Sequence, residues 1–303
     1  MTQYDIAVLK AGGLMKQKEP DLFSLRLRIV GGRVDADKLR KLAELSEKYG
    51  TGHIHLTTRQ GAEIPNVHFK NVEQLRAELS QVNLELGGCG ARVRTITACQ
   101  GGICSSGLID PQALAVKIDR MFFGRSGLPH KFKIGITGCP NACIKPQEND
   151  LGIMGIVRKT FHENLCTLCG LCVHACPVPG TLQVVNNRLV YNPETCVYCG
   201  SCIAACPSDA WEKTGVSYAL FAGGKIGKRP KLGERLPTKV NGDEHLLQLI
   251  TKTIDWYAAN GKKGERFGET IDRLGLCTLA DYLDSPGNCN ICQKGSNDTC
   301  MCS

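Results

Sequence analysis

The sequence has no uninterrupted apolar stretch approaching the eighteen or so residues that a membrane-spanning helix needs, so no membrane span is expected. It begins without a basic segment followed by a long apolar run, and we therefore expect no secretory signal. No Gly-x-Gly-x-x-Gly motif follows a predicted strand, which argues against a nicotinamide or flavin domain within this chain. Any electrons that the chain uses are expected to come from another protein.

Cysteine, by contrast, is abundant, with 18 among 303 residues. Many of them lie in tight C-x-x-C spacings, which suit metals better than cross-links and indicate a reducing, anaerobic cytoplasm. The formal net charge of +8 could indicate nucleic-acid binding, but the basic residues are spread along the chain without a nucleic-acid-binding motif. We therefore expect no nucleic-acid partner, and an anionic cofactor would account for part of the positive charge.

The hydrophobic pattern predicts a mixed α+β fold. Residues 23–80 show the order strand, helix, two strands and helix, which is ferredoxin-like. Residues 91–158 have an α/β pattern, with strands near Val93–Thr97 and at Lys131–Thr137. We expect a ferredoxin-like half domain at 1–85, an α/β domain at 86–160 and 213–276, a cysteine-rich insert at 161–212, and a cysteine-rich tail at 277–303.

The insert contains an internal repeat of the form C-x2-C-x2-C-x3-C-P. This is the pattern of bacterial ferredoxins with two 4Fe–4S clusters, in which the fourth cysteine of each run ligates the other cluster. The pattern assigns two ligand sets: Cys166, Cys169, Cys172 and Cys206 for one cluster, and Cys196, Cys199, Cys202 and Cys176 for the other. Zinc is the alternative, but zinc sites use spaced C-x2-C pairs instead of a doubled run of four.

Two further cysteine pairs follow predicted strands: Cys99 with Cys104, and Cys139 with Cys143. Their four thiols could hold one more 4Fe–4S cluster, or the cysteines could be buried structural residues. Three motifs stand in chain order, Leu56–Gln60, Leu128–Lys133 and Thr137–Cys143, and together they resemble the sirohaem-containing nitrite and sulfite reductases. The insert and Arg266–Gly275 make the resemblance closest to the C subunits of anaerobic sulfite reductases, over roughly residues 20–275.

The resemblance implies a sirohaem and three 4Fe–4S clusters. The α/β domain would hold the sirohaem and the third cluster, with the ligands Cys99, Cys104, Cys139 and Cys143, and Cys143 would also bridge to the sirohaem iron. The spacing from Cys99 to Cys104 is C-x4-C, which departs from the family's usual C-x5-C.

The family's anion-binding residues match Arg26, Arg94, Lys131 and Lys133, and its cofactor contacts match Arg59, Gln60 and Asn141. Lys131 and Lys133 are two apart on a predicted strand and should share a face, although alternating basic residues can also mark a solvated sheet.

The activity that the resemblance implies is reduction of sulfite to sulfide at sirohaem. Electrons would be relayed through the clusters from a ferredoxin or from flavin- or iron–sulfur-containing partner subunits. Nitrite reduction at the same site is one alternative, and a non-catalytic electron-transfer protein is another. Tandem-repeat members build the site from two repeats, so a homo- or hetero-oligomer is expected here. Six cysteines have no assigned role: Cys89, Cys277, Cys289, Cys292, Cys300 and Cys302, of which the last four could bind zinc or another cluster.

Overall fold

The computed structural model describes residues 5–284. Its N-terminal unit is a four-stranded antiparallel sheet with the strand order β1-β2-β4-β3. The elements are α1 (Ile6–Ala11), β1 (Leu14–Lys16), β2 (Leu22–Arg26), α2 (Ala36–Tyr49), β3 (His55–Leu56), β4 (Ala62–His68) and α3 (Val72–Gln81). The helices α2 and α3 cover the sheet because their apolar stripes, including Leu45 and Leu75, are fully buried against it. The predicted ferredoxin-like order is confirmed from β2 to α3, and α1 and β1 precede it.

The second unit is a five-stranded mixed sheet with the strand order β11-β10-β7-β6-β5. Its first elements are β5 (Thr97–Ala98), α4 (Pro111–Phe122), β6 (Ile134–Thr137) and β7 (Leu151–Phe161). The strands β5, β6 and β7 run parallel, and β10 and β11 continue the sheet antiparallel. The predicted strand near Val93–Thr97 is shorter than expected, since before Thr97 only an isolated bridge joins Val93 to Phe132.

The cysteine-rich insert connects β7 to β10. It contains α5 (Leu171–Ala175), β8 (Leu182–Val185), β9 (Arg188–Tyr191) and α6 (Ser201–Ala204). The strands β8 and β9 form a hairpin, and a small core gathers Leu182 and Trp211. Because β7 and β10 pair directly with each other, the insert leaves from one end of this antiparallel pair and leaves the main sheet uninterrupted.

The chain returns to the main sheet and ends the described region in helices. These elements are β10 (Trp211–Ala222), β11 (Glu234–Arg235), α7 (Gly242–Asn260), α8 (Phe267–Leu274) and α9 (Leu276–Asp284). Phe132, Tyr257 and Phe267 pack ring to ring in the core beneath the sheet. The mixed α+β fold with a ferredoxin-like half domain is confirmed.

The expectation of a tail from Cys277 was wrong for its first residues. Residues 276–284 form α9, and Leu279 and Leu283 are buried in the main core, so apolar burial holds this segment in place. Cys289, Cys292, Cys300 and Cys302 lie outside the described residues. Within residues 5–284, no helix combines the length and the apolar character that crossing a membrane requires.

Candidate active site and cysteine clusters

Five cationic side chains line one cavity, which encloses about 740 Å³ including the part open to solvent. They come from separate segments of both units: Arg26 at the end of β2, Arg59 between β3 and β4, Arg94 before β5, and Lys131 and Lys133 before β6. Threonine side chains complete its polar lining, and none of the described lining residues is acidic. The cavity therefore has the charge and shape to hold an anion.

Lys131 and Lys133 both reach this cavity, as their spacing suggested, although β6 begins only at Ile134. The chain is still extended here, because the N–H of Arg94 donates to the carbonyl of Phe132 and the N–H of Phe132 donates to the carbonyl of Arg92. Phe132 is fully buried in the core. Since neighbouring side chains of an extended chain alternate between faces, both lysines point away from the core and into the cavity.

Arg26 is held by a chain of polar contacts. Its Nε donates to Glu63 Oε1 at 2.7 Å, and its Nη1 donates to Cys89 Sγ at 3.1 Å. Ser24 Oγ in turn donates to the other oxygen of Glu63 at 3.0 Å. Burial acts to lower the pKa of Arg26, but attraction to Cys89 and Glu63 outweighs it and leaves the pKa raised. Sequence patterns gave no sign that Glu63 and Cys89 contact Arg26, because these contacts depend on the pairing of distant segments.

Arg59 and Arg94 have neutral direct partners. Arg59 donates to Asn149 Oδ1 at 2.8 Å and to the carbonyl of Thr95 at 3.1 Å. Arg94 donates from Nη1 to the carbonyl of Gly88 at 3.1 Å, and its buried Nε has no hydrogen-bond partner. Burial lowers the pKa of Arg59 to about 10 and also lowers the pKa of Arg94. The burial of these two guanidinium charges without an acidic partner therefore costs free energy. An anion bound in the cavity would offset that cost.

Behind Lys133 lies a fully buried carboxylate, Asp150, which the sequence analysis did not single out. Its two oxygens accept hydrogen bonds from Arg266 Nη2 at 2.8 and 2.9 Å, and one also accepts from the backbone N–H of Lys133 at 2.9 Å. Burial, together with the charge of Arg59, lowers the pKa of Lys133 to about 8, although Asp150 opposes this. Burial also lowers the pKa of Lys131. Asp150 therefore fixes the backbone of Lys133, while its carboxylate is ion-paired with Arg266.

The insert arranges its eight cysteines around two cavities of similar size. One measures about 290 Å³, including the part open to solvent, and its lining includes Cys176, Cys196, Cys199 and Cys202. The other measures about 320 Å³ on the same basis, and its lining includes Cys166, Cys169, Cys172 and Cys206. Each cavity takes three cysteines from one run and the fourth from the other, as the ferredoxin pattern predicts. Gly170 and Gly200 precede α5 and α6 with φ of 74° and 85°, a turn that favours glycine.

Each cavity offers four thiols, the number that a cubane takes with one thiolate on each of its four irons. In the described part of the chain, no group of three or more histidine, cysteine or acidic side chains is placed to hold a single metal ion.

The third cysteine set also comes together. Cys139 is buried, and its pKa is raised by burial and by the neighbouring thiols of Cys143, Cys99 and Cys104. A short 3-10 turn at Gly101–Ile103 spans the shortened spacing, and the thiol of Cys104 lies near enough to Cys139 to contribute to its raised pKa. Cys104 and Cys143 are exposed. The four thiols thus fit a cluster whose outer face is accessible.

Three predicted cofactor-contacting residues do not line the cationic cavity: Gln60, Asn141 and Cys143. The amide of Gln60 is instead paired with the backbone of Ala98, donating to its carbonyl and accepting from its N–H, both at 2.8 Å. This gives Gln60 a contact that joins the two units. Cys143 is an exposed member of the third cysteine set, and Asn141 is exposed two residues before it in the sequence.

Comparison with known proteins assigns the chain to a protein family. Residues 89–288 match the model of the nitrite and sulphite reductase 4Fe-4S domain, and residues 15–82 match the nitrite/sulfite reductase ferredoxin-like half domain. The chain belongs to the nitrite and sulfite reductase family. This confirms the resemblance, and with it membership of an iron–sulfur oxidoreductase family.

Within this family, the chain is 35% identical to the coenzyme F420-dependent sulfite reductase of Methanocaldococcus jannaschii, over 87% of this chain and 42% of that protein. It is 32% identical to the C subunit of the anaerobic sulfite reductase of Salmonella typhimurium, over 77% of this chain and 73% of that protein. The crystal structure of dissimilatory sulfite reductase I superposes with a TM-score of 0.72 at 19% identity, covering 91% of this chain and 72% of that one. The last comparison shows a shared fold. The chain spans less than half of the F420-dependent relative.

Proposed function

We propose that this protein reduces sulfite to sulfide at a sirohaem, using electrons delivered through three 4Fe–4S clusters. The observation that carries the proposal is the cavity lined by five cations, with no acid among its described lining residues. A tetrapyrrole with many carboxylates and a small oxyanion both need such a site. Sulfite is proposed ahead of nitrite because the relatives described above are sulfite reductases.

Bound sirohaem would supply the iron at which the sulfur of sulfite is reduced. Arg26 and Arg94 stay charged at any working pH and hold the anion by its oxygens. Lys131 and Lys133 carry protons that they can give up as S–O bonds break and water leaves. With its pKa lowered to about 8, Lys133 lies close to the working pH, where a general acid is most effective.

We also propose that the complete site forms between two chains, because the cation cavity and Cys143 need to reach the same cofactor but Cys143 does not line that cavity. Mixing a Lys133→Ala chain with a Cys143→Ser chain tests this directly. In a shared site, mixed oligomers contain one site with both native residues and regain activity. A site within one chain would stay inactive in every mixture.

The electron donor is proposed to be a separate ferredoxin or a flavin- or iron–sulfur-containing partner. The proposed location of the protein is the cytoplasm, whose reducing conditions preserve free thiols. Three clusters and one haem iron give about thirteen irons per chain.

Visible absorption of the anaerobically purified protein tests the proposal. We expect the Soret and long-wavelength bands of sirohaem together with iron–sulfur absorption, and reduction of sulfite by reduced viologen. Iron–sulfur absorption without an extractable tetrapyrrole would overturn the catalytic proposal and leave an electron-transfer protein. Faster turnover of nitrite than of sulfite would reassign the substrate.

A further inference from the structure

The two cysteine cavities of the insert differ in charge. The cavity formed by Cys176, Cys196, Cys199 and Cys202 is here named the inner site, and that formed by Cys166, Cys169, Cys172 and Cys206 the outer site. Lys159 is the one charged residue among the described residues that line the inner site. The described lining of the outer site contains none. The sites are alike in ligand type, so this lysine is the difference in formal charge between their described linings.

Lys159 is firmly placed. It lies on β7, and its Nζ donates to Cys202 Sγ at 3.1 Å. The same nitrogen lies 4.6 Å from the ring centre of Tyr191 and 4.5 Å from that of Trp211. Aromatic faces attract a cation without neutralising it as a carboxylate would. The positive charge is therefore fixed beside one ligand of the inner site and is available to act on whatever that site holds.

The inner site lies against the interior of β7, nearer the body of the main sheet than the outer site. The N–H of Val157 on β7 donates to the carbonyl of Tyr198 at 3.0 Å, and Tyr198 lies between two inner-site cysteines in the sequence. Gly200 packs against Val157, since a Cβ at Gly200 would lie 3.4 Å from the Val157 side chain, in ordinary van der Waals contact. The outer site lies against Phe161 and Trp211, at the end of β7 and the start of β10.

We propose that Lys159 makes the cluster at the inner site easier to reduce than the cluster at the outer site, so that electrons entering the insert settle beside the main sheet. The inference rests on the proposed function in assuming that both sites hold 4Fe–4S clusters. One electron leaves the reduced outer cluster, which becomes oxidised, and reduces the inner cluster. A one-electron donor protein then reduces the outer cluster again.

The physical reason is Coulombic. Reduction adds one negative charge to a cluster and its thiolates, and a fixed cation a few ångströms away stabilises the reduced form more than the oxidised form. Charge and hydrogen bonds to the sulfurs are among the factors that set cluster potentials. Lys159 supplies both a positive charge and a hydrogen bond to a ligand sulfur at the inner site. The described lining of the outer site contains no charged residue that could supply either of them.

A redox titration followed by electron paramagnetic resonance, on the full chain with its clusters, tests the inference. In Lys159→Met, we expect the equilibrium constant for one-electron reduction of the inner cluster to fall at least about tenfold, or about 59 mV, with a much smaller change at the outer cluster. Lys159→Arg should keep the native potential. A Cys199→Ser change, which alters a ligand of the inner site only, identifies the signal that belongs to it.

Lys213→Met is the matched control, because Lys213 lies opposite Lys159 on β10, is exposed, and lines neither site. It removes the same charge and should leave both potentials unchanged. Unchanged or equally shifted potentials in Lys159→Met would overturn the inference and leave the proposed function standing. An insert that binds no clusters would overturn both the inference and the cluster relay. Absence of sirohaem alone would not affect these measurements.

Discussion

Lys133 offers the sharpest test of the cationic cavity. Its side chain lines the cavity, its backbone N–H is fixed by Asp150, and burial lowers its pKa to about 8. Removing one preorganised donor from a developing charge typically costs about 10²–10³ in turnover. We therefore expect Lys133→Ala to lose about that factor in sulfite reduction, while its sirohaem content stays near that of the native protein.

The lowered pKa of Lys133 adds a pH dependence. With a pKa of about 8, about nine-tenths of the side chains are protonated at about pH 7 and about one-tenth at about pH 9, so turnover should fall roughly tenfold between these pH values. Between about pH 8 and the ordinary lysine pKa of 10.5, the folded state binds fewer protons here than the unfolded state. The contribution of Lys133 to stability therefore rises with pH in this window, and unfolding driven by this residue does not explain the loss of activity.

The assay is reduction of sulfite by reduced viologen, normalised to sirohaem, across this pH range. Lys133→Arg keeps its charge throughout and should flatten the alkaline decline. Lys117→Ala removes a lysine that is exposed on α4 and absent from the cavity lining, and serves as the control. The protonation of sulfite itself affects every variant equally. Full activity in Lys133→Ala, or an unaltered decline in Lys133→Arg, would refute the reasoning.

Three further predictions concern the surroundings of the site. Cys143→Ser should abolish spin coupling between cluster and haem while the signals of the insert's clusters persist; coupling that survives would show that the bridging ligand is wrong. Arg266→Met leaves the carboxylate of Asp150 buried and unpaired, and should lower the free energy of unfolding in denaturant titrations by about 3–5 kcal/mol. A loss near zero would mean that the buried pair is dispensable. Glu63→Gln should loosen Arg26 and raise the KM for sulfite more than it lowers kcat, without loss of sirohaem, and an unchanged KM would contradict this.

The ferredoxin insert and the site partners show what sequence can and cannot reveal. The insert was predictable because cluster ligands follow short local spacings, and the structure gathers the same two sets of cysteines. Glu63 meets Arg26 only through the antiparallel register of β2 and β4. Asp150 meets Arg266 across more than a hundred residues of sequence. Such contacts depend on tertiary pairing, which local periodicity does not encode.

Local sequence pattern also failed to predict where some strands and helices begin and end. The segment around Lys131 was predicted as a strand, yet only its later residues join the sheet, because the earlier ones bond through Arg92 and Arg94 instead. The helix α9 runs directly into a polar, cysteine-rich segment, and local composition does not separate the two. Its apolar side chains, including Leu279 and Leu283, pack into a core formed by segments that are distant in the sequence.

The attachment of the insert has a consequence for how such a protein can change over evolutionary time. Phe161 and Trp211, at the two points where the insert leaves and returns, are direct partners across β7 and β10, and their rings lie 4.7 Å apart. A tight hairpin turn could close the same gap, so an ancestral chain could gain or shed residues 162–210 without altering a strand of the main sheet. The cysteine-rich module can thus be added to this fold or removed from it without altering the strands that build the cationic cavity.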